Sequence, residues 1–240
     1  MLRGDEVLII RESYMQQIRD FMDKPVVKVL TGVRRSGKSA LLLLIIDALM
    51  KHGIRKENII HMNFESLRYE ELKDFRRLYE TISQRATQTA GRIYILLDEI
   101  QEVAEWEKVV NSLRVDFDCD IYITGSNARL LSGELATLLA GRYVELHVYP
   151  LDFKEYLDFA RENPAEQGYD AQQNFANFIR YGGLPGLHQM KWEEAPLMQY
   201  LTDIYNSVLL KDVIQRYKIR DTALLESIAI YLMDNIGNTF

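Results

Sequence analysis

The sequence predicts an α/β fold in which a five-stranded parallel sheet carries helices on both faces, followed by an all-helical region. Three observations carry that expectation. Short β-branched or apolar runs alternate with helical patterns through the first 149 residues. A glycine-containing turn joins the first of these runs directly to a leucine-rich helix. Beyond Pro150 only helical patterns recur, so a core is expected over 1–149 and a helical region over 150–240.

In chain order, "ESYMQQIRDFM" (12–22) reads as a short helix opened by a capping box from Ser13 to Gln16. "VVKVL" (26–30) is the first strand, and the apolar run 40–46 after the turn fits a helix buried on several sides. "NIIHMNF" (58–64) gives the second strand, and a charged helix is expected over 70–89. "IYILLDE" (93–99) is apolar enough to lie centrally in a parallel sheet. Trp106, Val109, Val110, Leu113 and Phe117 then recur at helical spacing. "DIYITGS" (120–126) and "RYVELHVY" (142–149) supply the fourth and fifth strands, with helical patterns between them. Further helices are expected over 152–161, 170–181, 194–217 and 222–235, separated in part by "ENPAEQG" and "YGGLPG".

Composition excludes several function classes. A net charge of -6 opposes a broadly cationic surface, which disfavours nucleic-acid binding by these residues. The single cysteine, Cys119, rules out an internal disulfide and suits a reducing compartment. The four histidines, His52, His61, His147 and His188, show no metal-ligand spacing, so no zinc site is expected. The opening "MLRGDEVLII" does not read as a signal peptide, and the longest apolar run is far shorter than the ~20 residues of a membrane span. A cytoplasmic location and no membrane partner are therefore expected. The final "NIGNTF" fits either a natural end or the interior of a longer protein.

Chemistry begins at Gly32. Gly32-Val33-Arg34-Arg35-Ser36-Gly37-Lys38-Ser39 matches G-x-x-x-x-G-K-[ST] in full and lies between a strand and a helix, where that spacing can work. Gly32 and Gly37 permit positive φ, so the N–H groups between them, and those running on to Ala40, can converge on phosphate. The helix N-terminus adds a positive dipole. Lys38 suits the β- and γ-phosphates of a nucleoside triphosphate, and the Ser39 hydroxyl suits Mg²⁺. Arg34 and Arg35 are read either as contacts to phosphate or an acidic partner, or as solvated loop positions.

The second constellation is Asp98-Glu99, delivered by Ile93, Ile95, Leu96 and Leu97 to the C-terminal edge of the sheet, where such folds bind ligands. Asp98 suits the Mg²⁺ shell, and Glu99 suits the orientation and deprotonation of a water. A phosphotransferase has little use for that glutamate, whereas a hydrolase needs it. In "ITGSNARLL", Thr124, Ser126 and Asn127 bring neutral polar groups to the exit of the fourth strand, with Asn127 the first choice as a γ-phosphate sensor and Ser126 the second.

Together these segments resemble an AAA-type P-loop ATPase, with Walker A "GVRRSGKS", Walker B "IYILLDE" and a sensor-1-like "ITGSN". More narrowly, "LDEIQ", "ITGSNARLLSGELATLLAGRYVEL", "YPLDFKEYL", "YGGLPG" and "LLKDVIQRYKIRD" resemble a bacterial and archaeal family that joins such a domain to a C-terminal domain of restriction-endonuclease-like fold. The resemblance implies ATP and Mg²⁺ as cofactors, a three-layer core with strand order 5-1-4-3-2, a helical lid, and a chain that continues into a winged-helix segment. By the same resemblance, Arg142 could reach a neighbour's γ-phosphate in a homo-oligomer, or else form a structural salt bridge. Pro185 of Gly183-Leu184-Pro185 would lie against adenine, or else form only a helix-to-helix turn; Asn63 could hold Glu99 inactive, and Arg216 would act as a sensor or remain a surface arginine. DNA becomes a partner only through regions outside this chain. Two functions then compete: an ATPase that couples hydrolysis to movement of an attached domain, and a nucleotide-dependent switch or scaffold with little turnover. A small-molecule phosphotransferase ranks below both.

Overall fold

Alternation of side chains along each strand sorts the central residues into two cores, one on either side of a single parallel sheet. The computed structural model describes residues 8–125, 139, 141–164, 166, 168–208, 214 and 218–237. Its strands are β1 (Val27–Thr31), β2 (Ile59–Asn63), β3 (Ile93–Asp98), β4 (Cys119–Thr124) and β5 (Tyr143–His147), ordered β2-β3-β4-β1-β5. Read from the β5 edge this is the expected 5-1-4-3-2, with β4 between β1 and β3. All pairings are parallel.

Val27, Val29, Ile93, Ile95, Leu97, Ile121 and Ile123 face one core, which is closed by helices α3 (Phe75–Thr87) and α4 (Trp106–Asp116). Leu30, Tyr94, Leu96 and Tyr122 face the other, closed by α1 (Glu12–Phe21) and α2 (Lys38–Lys51). Leu41, Leu42, Ile45 and Leu49 of α2 are fully buried there. Each such side chain is worth ~1.5–3 kcal/mol relative to exposure, so α2 is firmly seated behind the turn that precedes it. After Pro150 the described elements are α5 (Phe153–Glu162), α6 (Ala171–Tyr181), a 3₁₀ turn (Pro185–Gln189), α7 (Glu194–Ser207) and α8 (Thr222–Asp234). Two compact units divide the chain, Met1–Lys191 and Trp192–Phe240. None of the described helices is long and apolar enough to cross a membrane.

Besides small shifts at strand ends, three differences from expectation have a visible local cause. The N-cap of α1 is Arg11, with no side-chain cap, and Ser13 lies inside the helix, so the Ser13–Gln16 capping box does not form. The Ser13 hydroxyl instead faces Glu155 at 3.5 Å. The helix expected over 70–89 is broken into a 3₁₀ segment (Leu67–Lys73) and α3, because Asp74 turns extended and caps the N–H groups of Arg76 and Arg77. The third strand stops at Asp98, one residue early, because Glu99 adopts the left-handed conformation with φ +54°.

One charge pair lies inside the sheet layer. The Lys28 ammonium, fully buried on β1, donates to Asp120 of β4 and to the Lys24 carbonyl, while Asp120 also accepts from the Tyr122 hydroxyl and the Asp23 N–H. Burial pushes the Lys28 ammonium below its ordinary value, and the Asp120 charge opposes that shift. Removing the carboxylate would strand a buried cation. Asp120→Ala is therefore expected to destabilise the fold by ~3–5 kcal/mol, read as a lower denaturant midpoint in an unfolding titration.

Candidate phosphate-binding site

The turn after β1 is shaped by contacts that only glycine permits. Gly32 has φ +144°, and a Cβ placed on it would lie 2.2 Å from the Val148 carbonyl oxygen. The chain following β5 runs directly beneath it, with the Val148 N–H donating to the Thr31 carbonyl at 2.7 Å. Arg35 is left-handed at φ +64°, and Gly37, at φ +99°, is the N-cap of α2 with no side-chain cap. The first N–H groups of α2, those of Lys38, Ser39 and Ala40, thus meet the chain end where a helix has no internal acceptors and carries a positive dipole. An anion fits that donor set.

Side chains around the turn agree with this use. Lys38 is 5% exposed, and its ammonium bonds the carbonyls of Gly32 and Val33 at 3.0 Å each. Burial lowers its pKa, opposed by the charges of Glu99 and then Asp98. Ser36 is buried with its Oγ lacking a hydrogen-bond partner, whereas Ser39 is exposed and accessible to a cation. Val33, Arg34 and Arg35 are exposed, and Arg34 pairs with Glu65 at 3.7 Å.

Strand register builds the carboxylate half. Asn63 stands opposite Asp98, and Thr124, at the end of β4, borders it on the other side. Asp98 is 1% exposed; one oxygen accepts from Asn63 Nδ2 at 2.8 Å and the other from the Thr124 hydroxyl. Thr124 Oγ1 also accepts the Glu99 N–H at 3.0 Å, so one hydroxyl ties both acidic residues to β4. The Glu99 carboxylate turns to Gln101, whose amide donates to it. Burial raises the Glu99 pKa, partly offset by that hydrogen bond and by the Lys38 charge. Asn63 therefore holds Asp98, and it is Gln101 that restrains Glu99. The expectation for Asn63 fails because facing register positions share a side of the sheet, while Glu99 has already left the strand.

Of the remaining candidates, Pro185 opens the 3₁₀ turn and comes within 3.7 Å of the position a Gly37 Cβ would occupy. Arg142 is exposed immediately before β5, at the strand edge opposite Gly32. The intervening strand spans ~16 Å at ~3.3 Å per residue, so Arg142 stands apart from the turn of its own chain. Asn127, Ser126 and Arg216 lie outside the described residues. Sequence reasoning missed Arg11, Glu155 and Gln101. Gln101 and Glu155 lay inside the quoted "LDEIQ" and "YPLDFKEYL", whereas Arg11 had no local signal.

Thr124 supplies a test of this geometry. Thr124→Val keeps the shape but leaves a buried Asp98 oxygen and the Glu99 N–H without their partner. The expected cost is ~1–3 kcal/mol for each unsatisfied group, measured by denaturant unfolding.

Comparison with known proteins places the arrangement. Residues 24–157 match the AAA domain family. An uncharacterized protein of Haemophilus influenzae is 44% identical over 233 residues, covering 97% of this chain and 57% of its own. The uncharacterized protein MJ1544 of Methanocaldococcus jannaschii is 33% identical over 222 residues, covering 87% of this chain and 47% of its own. The chain thus spans about half the length of these curated relatives. Among solved structures, the Aeropyrum pernix ORC1 protein in complex with DNA aligns with a TM-score of 0.50 at 13% identity, over 85% of this chain and 67% of that one, a likeness of fold. With its family match spanning the phosphate turn, both carboxylates and β1 to β5, the chain belongs to the AAA domain family.

Proposed function

We propose that the protein is a Mg²⁺-dependent ATPase whose turnover drives a rearrangement in the part of the protein attached to this chain. The observation that carries the hydrolytic reading is Glu99: a carboxylate turned out of the strand beside Asp98, oriented by Gln101 and within the field of Lys38. The backbone from Gly32 to Ala40 would cradle the phosphates, with Lys38 released from the Gly32 and Val33 carbonyls to meet them. Pro185, beside Gly37, would border the base. Ser39 and Asp98 would hold Mg²⁺, which when bound neutralises charge on the phosphoryl oxygens. Glu99 would take the proton of the attacking water.

A second reading, a nucleotide switch with little turnover, draws support from the same residues. Gln101 occupies the carboxylate that must act, and Asp98 has both oxygens engaged. Two substitutions separate the readings. Glu99→Gln is expected to lower turnover by ~10²–10⁴-fold while ATP affinity persists, whereas Lys38→Ala should lose nucleotide binding in a titration with labelled ATP. Full turnover by Glu99→Gln would overturn the hydrolytic role.

Two further expectations follow for the full-length protein. Glu99 acts as a base only when ionised, and burial raises its pKa, so turnover should fall on the acid side above the ordinary carboxyl range. The Gln101 bond favours the ionised form; Gln101→Ala should therefore move that acid limb to higher pH in a pH–rate profile. Arg142, remote from its own phosphate turn, would complete the site of a neighbouring copy. Turnover per chain should then rise with protein concentration, and Arg142→Ala should abolish the rise.

A further inference from the structure

Arg11 is charged, 3% exposed, and aimed at the phosphate turn from a distant part of the chain. Its Nη1 donates to the Ser36 carbonyl at 3.0 Å. Nε and Nη2 grip the two oxygens of Glu155 at 2.9 and 2.6 Å, and Nη2 also reaches the Pro150 carbonyl at 3.5 Å. The guanidinium lies 4.4 Å from the centre of the Tyr14 ring, whose hydroxyl accepts the Tyr149 N–H at 3.0 Å. Glu155 is itself fixed, because it closes the capping box of α5 with Asp152. A planar fork gripped on one side by a carboxylate has little freedom, so its remaining donor is held in a set direction.

That direction matters because the peptide bond is planar and trans. The carbonyl of Ser36 and the N–H of Gly37 belong to one peptide unit and point to opposite sides. Drawing the carbonyl toward Arg11 turns the Gly37 N–H away from the ion pair. Gly37 is the uncapped N-cap of α2, so this N–H joins the free donors that open the helix. Arg11 Nη1 would stand 3.9 Å from a Gly37 Cβ, which keeps the guanidinium directly behind the turn.

We propose that Arg11 is a positioning residue for phosphate binding: with Glu155 as its counter-charge, it presets the Ser36–Gly37 peptide so that the Gly37 N–H is presented to the anion. The inference rests on the nucleotide-binding function proposed above. Glu155 neutralises Arg11, so its contribution is orientation rather than attraction, and it is expected to survive high salt.

Calorimetric titration of the full-length protein with Mg²⁺ and a non-hydrolysable ATP analogue tests this, alongside thermal melts without nucleotide. Arg11→Met should weaken affinity by about 10- to 100-fold, the range expected for a lost charge-assisted hydrogen bond. The weakening should be of similar size at low and high salt. Arg11→Lys should recover only part of it, and Glu155→Gln, a milder change, should weaken binding in the same direction. Variants that melt earlier yet bind as tightly as the native protein would reduce Arg11 to a structural clamp and overturn the inference. A loss that vanishes at high salt would overturn it too, since the role would then be electrostatic. Failure of the native protein to bind the analogue would instead remove the nucleotide-binding function itself, and this inference with it.

Discussion

The closeness of Gly32 to the Val148 carbonyl is the constraint on which the rest of the site depends. With no side chain at that position, the turn after β1 lies directly on the chain that leaves β5. A methyl group there would overlap the carbonyl oxygen and would also need a φ that side chains rarely adopt. This contact fixes where the chain turns, and the apolar seat of α2 fixes where it goes next. The helix N-terminus is thereby delivered to the edge at which β3 presents Asp98. The phosphate donors and the carboxylates belong to different elements, yet their separation is set by β1, β4 and β3 lying side by side.

Around this frame, polar groups are used more than once. Thr124 donates to Asp98 and accepts from the Glu99 backbone, so the end of β4 holds both acids. Glu99 and Arg35, neither of them glycine, both occupy the left-handed region. Such conformations cost ~1–3 kcal/mol each and persist only where the surroundings enforce them. For Glu99 the enforcement is visible: its N–H is held by Thr124, and the next residue, Ile100, is fully buried. The backbone strain turns the carboxylate off the strand path, where a second in-plane strand residue could not reach.

What was legible in the sequence was chemistry confined to a few neighbouring residues. The phosphate turn requires fixed spacing within eight positions, and Asp98-Glu99 requires only adjacency after an apolar strand, so both could be read directly. The strand order followed from the family likeness rather than from periodicity. The partner of Asn63 was misassigned because it depends on the register between β2 and β3, which no local pattern encodes. Arg11 and Glu155 are 144 positions apart, one just before a helical segment and the other inside one. A long-range ion pair leaves no periodic trace, and "IIRES" offered no reason to look behind the loop.

These long-range contacts bear on how a signal could leave the phosphate site. Gly183 packs so tightly on Leu151 that a Cβ would come within 2.1 Å of its carbonyl oxygen, and the Leu151 N–H donates to Gly183 at 2.6 Å. The segment that carries Pro185 to Gly37 is therefore bound to the same stretch, 150–155, that supplies Pro150, Asp152 and Glu155. Two routes lead from that stretch to one peptide unit, one through Arg11 to the Ser36 carbonyl and one through Pro185 to Gly37. A movement of the Ser36–Gly37 peptide must either break the Arg11 contacts or carry the first turn of α5 with it. Packed elements joined in this way change between discrete arrangements rather than deform gradually. The first turn of α5 is thus the point at which a rearrangement of the phosphate loop would first reach the helices beyond the sheet.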